Sequence, residues 1–304
     1  MFNSHATSEL NLFSEFFVDI VRNCEFAAIG KIPTRLNNRV VPLGGIQFIP
    51  QLLKHIDGIV GVITTSDCID KVPQNLGCAI ADKPLETAYK VHKVLLEKGR
   101  FWTPFQTVVH ENASVHPTAY IDSQNVVIGA GTIIAPGARI LERTIIGENC
   151  FIGPGTIIGT PAYEVGSIDN VSQILPQAGG VRIGNNVSFL GNVMVARSIF
   201  PLFTEIGDNC SFDNLVHIGH DCVLGSGVKV TACSMLSGRV TLGNNVYIGP
   251  NATISNGITI AANAVVTLGS VVIQDVLEGE RVSGNFAMSH WKFMKAYSRA
   301  RRDS

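Results

Sequence analysis

The sequence has few charged residues and no excess of either sign. Only 15% of its 304 residues are Asp, Glu, Lys or Arg, and 23 basic residues stand against 24 acidic ones. This balance gives no general attraction to nucleic acid or to acidic membranes, so nucleic acid is not an expected partner. The low charge content, together with 30 glycines, favours repetitive β structure over a helical bundle.

The sequence also lacks cysteine pairs, long apolar runs and a recognisable leader. Its seven cysteines form no C-x-x-C pair and are odd in number, so we expect reduced thiols. No apolar run approaches the roughly 20 residues of a membrane-spanning helix. The first residues carry Glu9, Glu15 and Asp19 and show no basic start before an apolar block, which predicts no secretory signal. We therefore expect a cytoplasmic protein.

What the chain does have is an aliphatic or aromatic residue at every sixth position. Twelve consecutive anchors follow this spacing: Ile206, Phe212, Ile218, Leu224, Val230, Leu236, Leu242, Ile248, Ile254, Ile260, Val266 and Val272. The same spacing occurs earlier, at Ile128, Ile134, Ile140, Ile146, Ile152 and Ile158, and at Ile183, Phe189 and Val195. A small or β-branched residue usually stands two positions before the anchor, and glycine often follows it.

This six-residue period predicts a left-handed parallel β-helix built from hexapeptide repeats. Each hexad makes one short strand and a turn, three hexads close a coil, and each anchor points into a narrow core. Successive coils lie about 4.8 Å apart, and the turns need residues such as Gly and Asn that accept unusual φ angles. An ordinary β-sandwich would instead show period two with irregular loops.

Two interruptions divide the repeat, at residues 160–181 and near Ser198 to Thr204. Insertions in a solenoid become external loops. The first is long enough to reach a neighbouring coil or subunit, which makes it a candidate lid or substrate wall; a plain connecting loop is the alternative.

The ends of the chain lack the hexad. Apolar spacing predicts an amphipathic helix from Leu10 to Val21, a second helix at Pro84 to Glu97, and strands at 58–65 and 77–82. We divide the chain into a small α/β domain (1–105) that ends in a linker around 101–110, a β-helix domain (106–282), and a C-terminal helix (283–304).

Two histidines, His217 and His220, flank the inward anchor Ile218 and should therefore face outward. A harmless surface position is one interpretation. The other is a general base on a rigid wall, a task that suits imidazole because it titrates near neutral pH. Asp213 or Asp221 would orient the ring.

One coil contains eighteen residues, so Gly238 should stack directly over His220. A glycine there leaves room for a substrate and exposes a backbone N–H, which is suited to an oxyanion formed from a thioester. A simple turn glycine is the alternative. We expect no metal, because a catalytic zinc needs three protein ligands and the positions one coil above and below His220 hold no histidine.

The order of these parts resembles the UDP-3-O-acylglucosamine N-acyltransferase family over nearly the whole chain. The similar segments are GGIQFIPQLLKHI, VHPTAYID, IIGTPAYEVG, CSFDNLVHIGHDCVLG and VSGNFAMSHWK. The resemblance implies a homotrimer, a uridine-binding first domain, and a C-terminal extension that recognises acyl carrier protein. It implies no cofactor, since acyl-carrier-protein or acyl-CoA thioester is a cosubstrate.

The resemblance also assigns residues. His220 matches the catalytic histidine, Gly238 the oxyanion glycine and Asp213 an acidic catalytic residue. The substrate contacts that we expect are Phe48 as the residue stacked on uracil, His217, Asn214 and Tyr163. Carrier-protein docking is expected at Lys292, Arg299, Arg301 and Arg302.

Some positions depart from the family pattern. Leu52 or Leu53 stands where a second stacking aromatic is expected, and Ile258 replaces a histidine that contacts phosphate. We predict transfer of an acyl group to the amine of a nucleotide-linked amino sugar, as in lipid A synthesis. The alternatives are an acetyl-CoA-dependent sugar N- or O-acetyltransferase and a non-catalytic scaffold.

Overall fold

The computed structural model describes residues 7–284 and 287–300, and most of them form a three-sided parallel β-helix. Each side is one parallel sheet, and its neighbouring strands belong to successive coils of the chain. We name the sides faces A, B and C in the order in which the chain visits them. The fold class that the hexads predict is confirmed.

The strands of the three faces are short, and their bounds are as follows. Face A contains Val108–Val109, Val126–Ile128, Thr144–Ile146, Gly180–Ile183, Phe203–Ile206, Val223–Leu224, Thr241–Leu242 and Thr259–Ile260. Face B contains Ser114–Val115, Ile133–Ile134, Phe151–Ile152, Ser188–Phe189, Ser211–Phe212, Lys229–Val230, Tyr247–Ile248, Val265–Val266 and Arg281–Val282. Face C contains Tyr120–Ile121, Arg139–Ile140, Ile157–Thr160, Met194–Ala196, His217–Ile218, Met235–Leu236, Thr253–Ile254 and Val271–Val272.

The interior of the prism is filled by the predicted anchors. All twelve, from Ile206 to Val272, are buried and belong to one hydrophobic core. On face A, Leu224 pairs with Leu242, which is the eighteen-residue step of one coil. The core is therefore a stack of equivalent side chains, and a residue's position in the hexad determines whether it points in or out.

The corners of the prism repeat one backbone conformation. A residue with left-handed φ occurs at every sixth position, at Asn209, Leu215, Asp221, Gly227, Cys233, Arg239, Asn245, Asn251, Gly257, Asn263 and Gly269. Most are Asn or Gly, the residues that accept this conformation at least cost.

Both breaks in the repeat leave the prism at the corner between faces C and A. There, the steps from Ile158 to Ile183 and from Val195 to Ile206 replace the usual six-residue step. The first break contains a hairpin, Val165–Ile168 paired antiparallel with Val171–Ile174. The predicted external loops are confirmed, and they share one corner.

The N-terminal part is a mixed α/β unit. Its five-stranded sheet has the order Asp19–Arg22, Gly77–Ile80, Ile59–Thr64, Arg39–Leu43 and Ala28–Ile29, antiparallel only at the first pair. A separate antiparallel pair joins Ser8–Glu9 to Glu25–Phe26. The helices are α1 (Ile49–Lys54) and α2 (Pro84–Glu97), with 3₁₀ helices at Leu10–Phe16, Ile46–Phe48 and Ser66–Lys71. The predicted second helix and both predicted strands are confirmed.

Two predictions about this part are wrong. The segment from Leu10 to Val21 is not one α-helix, because Leu10–Phe16 forms a 3₁₀ helix and Asp19–Arg22 pairs as a strand with Gly77–Ile80. The linker around 101–110 is not a free connection either, since Val108–Val109 already pairs within face A.

The two breaks hold the N-terminal unit against the β-helix. Ile199 and Phe200 of the second break share a hydrophobic core with Val91 and Leu95 of α2. The hairpin binds the same helix through an ion pair of 2.6 Å between Asp169 and Lys90. The breaks therefore serve as the packing surface for α2.

The last element that the structure describes is the predicted C-terminal helix, α3 (His290–Ala300). Its described apolar side chains are largely exposed: Trp291 at 66%, Phe293 at 51% and Met294 at 43%. Within the described ranges, no helix is both long and apolar enough to cross a membrane.

Candidate active site

His220 lies at the corner where the chain passes from face C to face A. It follows the strand His217–Ile218, in which Ile218 is fully buried and His217 projects outward. The next residue, Asp221, takes the left-handed corner conformation with φ of 58°. Both histidines therefore lie on the outside of the solenoid, and the repeat holds them on a rigid wall.

The His220 imidazole is held by the carboxylate that follows it in sequence. Asp221 Oδ2 lies 2.7 Å from His220 Nδ1, and both side chains are only 12% exposed. An ionised carboxylate can only accept a hydrogen bond, so Nδ1 carries the proton and Nε2 keeps its lone pair. This is the tautomer that a general base requires.

Asp213 does not orient His220 within one chain. It lies at the corner between faces B and C, and its Oδ1 accepts hydrogen bonds from Asn214 N (2.7 Å) and Asn214 Nδ2 (2.8 Å). Of the two carboxylates that the sequence offers, Asp221 is the one in contact with the imidazole. Of the two alternatives left open, Asp221 is therefore the orienting residue within one chain, and the catalytic role that the resemblance implies for Asp213 stays a prediction.

Gly238 lies one coil above His220. A Cβ atom at Gly238 would stand only 2.3 Å from His220 Nε2, so any side chain would displace the ring. The turn does not need this glycine, because the left-handed residue there is Arg239 with φ of 62° and Gly238 is outside that region. In the described chain, no backbone carbonyl accepts the Gly238 N–H. The glycine therefore allows the close approach of the His220 ring, and its N–H is not used by a backbone carbonyl.

His217 completes a pair of imidazoles on this wall. Burial, followed by the neighbouring His220, lowers the pKa of His217 below the ordinary value. The neutral form is favoured at pH 7, so His217 can serve as a hydrogen-bonding contact rather than as a charge.

The corners near this wall also hold residues that rarely accept left-handed backbone. Leu215, Cys233 and Arg239 occupy positions where Asn or Gly stands in most other turns. A non-glycine residue in this conformation costs on the order of 1 kcal/mol, and such strain tends to collect at functional sites.

Among the described residues, no hydrogen bond or ring contact joins the remaining predicted contacts to His220. Phe48 is 42% exposed at the end of a 3₁₀ helix in the N-terminal unit, and Tyr163 is 82% exposed at the start of the first break. Asn214 caps the neighbouring coil, where its Oδ1 accepts the Gly191 N–H at 2.9 Å. Their roles toward substrate stay predictions.

The predicted docking residues are described only in part. Lys292 and Arg299 lie on α3 and line one groove together with Trp291 and Lys295. Arg301 and Arg302 lie outside the described residues.

Sequence reasoning missed the residues that stand behind Asp221. Ser198 Oγ contacts Asp221 Oδ1, and Thr204 Oγ1 accepts the Asp221 backbone N–H at 2.9 Å. Ser198 comes from the second break, and Thr204 lies on the face A strand that follows it, Phe203–Ile206. In the sequence, only the interruption of the repeat pointed to a residue behind Asp221. The position of a residue outside the hexads cannot be read from the six-residue period.

A cavity of about 100 Å³ opens beside the same carboxylate. Its polar lining comes from Thr34 and Arg35 of the N-terminal unit and from Asp221, Arg239 and Thr241 of the β-helix. The N-terminal unit thus reaches the corner that carries His220. Across the described ranges, no three His, Cys, Asp or Glu side chains are arranged to hold a metal ion.

Family models match the repetitive part of the chain. The model described as bacterial transferase hexapeptide (six repeats) matches residues 125–160 and 203–238, and the hexapeptide repeat of succinyl-transferase matches 239–274. The unmatched stretch between the first two regions, residues 161–202, contains most of both breaks.

Similar proteins agree with this picture. UDP-3-O-acylglucosamine N-acyltransferase 2 of Legionella pneumophila (strain Lens) is 40% identical over 49% of this chain and 43% of its own length. The acyl-[acyl-carrier-protein]–UDP-N-acetylglucosamine O-acyltransferase of Thermodesulfovibrio yellowstonii is 32% identical over 43% of this chain and 54% of its own length. The chain thus spans about half the length of the curated relatives it matches.

A solved structure shares the fold. The UDP-N-acetylglucosamine acyltransferase from Campylobacter jejuni is 25% identical, with a TM-score of 0.51 over 59% of this chain and 70% of that one. The chain is therefore a hexapeptide-repeat protein of the left-handed β-helix class, and its predicted resemblance to the UDP-3-O-acylglucosamine N-acyltransferases is confirmed.

Proposed function

We propose that the protein transfers an acyl group from an acyl-carrier-protein thioester to the amine of a nucleotide-linked amino sugar in lipid A synthesis. The observation that carries this proposal is the stack of Gly238 over His220, with Asp221 on the far side of the ring. The names of the similar proteins support acyl transfer to UDP-linked sugars. We propose a cytoplasmic location and no cofactor.

The chemistry follows from the two groups. The neutral amine attacks the thioester carbonyl carbon while His220 Nε2 takes the proton from nitrogen. The Gly238 N–H donates to the oxyanion that forms on the carbonyl oxygen. When the intermediate collapses, the carbon–sulfur bond breaks and the imidazolium returns its proton to the leaving thiolate. Asp221 stabilises the imidazolium between these steps, and no covalent acyl-enzyme is needed, because binding holds both substrates in position.

We propose that the active unit is a homotrimer with sites between subunits. Two observations support this. Asp213 and Asn214 sit at a neighbouring corner, away from their own His220. In addition, the outward side of face C is unusually apolar near His217, with Met194 and Met235 each about 40% exposed. A neighbouring copy would cover this surface and bring its own side chains to the site.

The same base would serve an amine or a hydroxyl acceptor, and the similar proteins include both kinds. The test is to assay the purified protein with acyl-carrier-protein thioester and two acceptors, UDP-3-O-acylglucosamine and UDP-N-acetylglucosamine. We expect turnover with the amine, and we expect His220→Ala to reduce it by roughly 100-fold or more. Near-normal turnover in that variant would overturn the assignment of His220 as the base. Acylation of UDP-N-acetylglucosamine alone would overturn the proposal that the acceptor is an amine.

A further inference from the structure

Asp221 is held on the side that faces away from His220. Its Oδ2 accepts from the imidazole, while its Oδ1 faces the hydroxyl of Ser198. Its backbone N–H donates to Thr204 Oγ1 at 2.9 Å. The carboxylate is therefore held by Ser198 of the second break, which the repeat alone would not supply, and the backbone N–H by Thr204 of the face A strand Phe203–Ile206.

The hydrogen-bond partners of the Ser198 hydroxyl indicate its role. Its hydroxyl has one proton and faces two acceptors, Asp221 Oδ1 and the Phe200 carbonyl oxygen at 3.1 Å. The Phe200 carbonyl already accepts the Leu202 N–H at 2.6 Å. A carbonyl oxygen can accept twice, but a hydrogen bond to a charged group is the stronger of the two, which favours donation of the Ser198 proton to the carboxylate.

Ser198 is itself tightly held. It is fully buried, and its backbone exchanges hydrogen bonds of 3.2 Å with the first break, from Ser198 N to Gly180 O and from Gly179 N to Ser198 O. Gly179 fits closely against it, because a Cβ there would lie 2.4 Å from Ser198 Cβ. The two breaks therefore brace each other directly behind Asp221.

We propose that Ser198 is a positioning residue. Its hydroxyl fixes the Asp221 carboxylate, which in turn fixes the tautomer and the orientation of the His220 ring. The second break places that hydroxyl at this corner, in addition to packing against α2. This inference rests on the proposed role of His220 as general base.

The test compares Ser198→Ala with Ser234→Ala. Ser234 is a matched control, because it is 1% exposed and its hydroxyl donates to the Gly249 carbonyl at 2.9 Å, away from Asp221. Thermal unfolding of both variants measures the general cost of losing a buried hydroxyl. We expect Ser198→Ala to lower kcat roughly tenfold, which is the value of one hydrogen bond to a charged group, with KM unchanged. Ser234→Ala should keep the wild-type kcat.

A second readout does not depend on activity. The proton shared by His220 Nδ1 and Asp221 gives a downfield NMR signal, identified by its loss in His220→Asn. Ser198→Ala should shift or broaden this signal, and Ser234→Ala should leave it in place. An unchanged signal in Ser198→Ala, or equal losses of kcat in the two serine variants, would overturn the inference. If the wild-type protein transfers no acyl group, the proposed function fails, and the NMR comparison alone then decides whether Ser198 holds the pair.

Discussion

The imidazole of His220 is confined on two sides by different means. Asp221 binds Nδ1 from within the same turn. On the coil above, Gly238 has no side chain and so leaves room for the ring at Nε2. Because the prism holds the two coils in a fixed relation, neither contact depends on a flexible loop. The arrangement suits a base that must meet its substrate in one orientation.

Replacing Gly238 by Ala tests this confinement. The added methyl group would lie 2.3 Å from His220 Nε2, so the ring must move away from its present position. The backbone at Gly238 is not left-handed and accepts alanine. We expect acyl transfer to fall roughly 100-fold, with the free energy of unfolding changed by less than about 1 kcal/mol.

Activity, thermal unfolding and a crystal structure of the variant would check this prediction. A ring that stays in place with normal turnover would show that the space above Nε2 has no part in catalysis. A large loss of stability would show instead that the glycine serves the fold.

The positions of site residues that lie within the hexads could be predicted from the sequence. The eighteen-residue step alone places Gly238 over His220, because every coil in this region has the same length. The choice between Asp213 and Asp221 depends on how a side chain turns at a corner, which the period does not determine. Ser198 was out of reach, since a residue in a break has no assigned position.

At the scale of single elements, the C-terminal helix differs from the rest of the protein. Helix α3 presents Lys292, Lys295 and Arg299 beside exposed Trp291, and Lys295 Nζ lies 5.0 Å from the centre of the indole ring. A basic surface with an exposed aromatic anchor suits an acidic protein partner.

Charge reversal on this helix separates the two donors. We expect Lys292→Glu with Arg299→Glu to weaken use of acyl-carrier-protein thioester strongly, mainly by slowing association, and most at low ionic strength. Use of an acyl-CoA should be unchanged. Lys229→Glu, on exposed face B, is the matched control. If the helix variant uses the acyl-carrier-protein thioester at the wild-type rate, docking at α3 is contradicted.

The elements show where local pattern is sufficient and where it is not. Helix α2 and the hexad strands follow their apolar spacing, because each presents one regularly spaced apolar face to a core. The segment from Leu10 does not, since Leu10 and Phe13 are buried while Val18 is 65% exposed. Pairing of Asp19–Arg22 with Gly77–Ile80 competes with the helix, and such distant contacts are not visible in local spacing.

At the scale of the whole molecule, one buried histidine joins three parts. His92 of α2 is 1% exposed, its ring stacks on Phe101, and its edge meets Phe200 of the second break. His92 Nε2 donates to the Pro176 carbonyl at 3.1 Å, while Nδ1 has no hydrogen-bond partner among the described residues. Burial lowers the pKa of His92 to about 4.

This junction should weaken in acid. Between pH 6.5 and pH 4 the unfolded chain binds a proton at His92 that the folded chain rejects, so stability rises with pH through this window and falls on acidification. The contribution is roughly 3 kcal/mol between pH 7 and pH 4. We expect His92→Gln to remove that part of the pH dependence.

Urea unfolding of wild type and variant across this range would measure the difference. His116→Gln, which removes an exposed histidine, is the control and should keep the wild-type slope. Parallel stability curves for wild type and His92→Gln would contradict the prediction.

The common corner of the two breaks has a consequence for how such a chain changes in evolution. Ile146, Ile183, Ile206 and Leu224 remain consecutive rungs of face A although the chain between them varies in length. Residues can therefore be gained or lost at this corner without moving any rung. Because the corner also carries His220, variation in length is directed to the surroundings of the candidate base, where it can change the acceptor while the wall that holds the base stays the same.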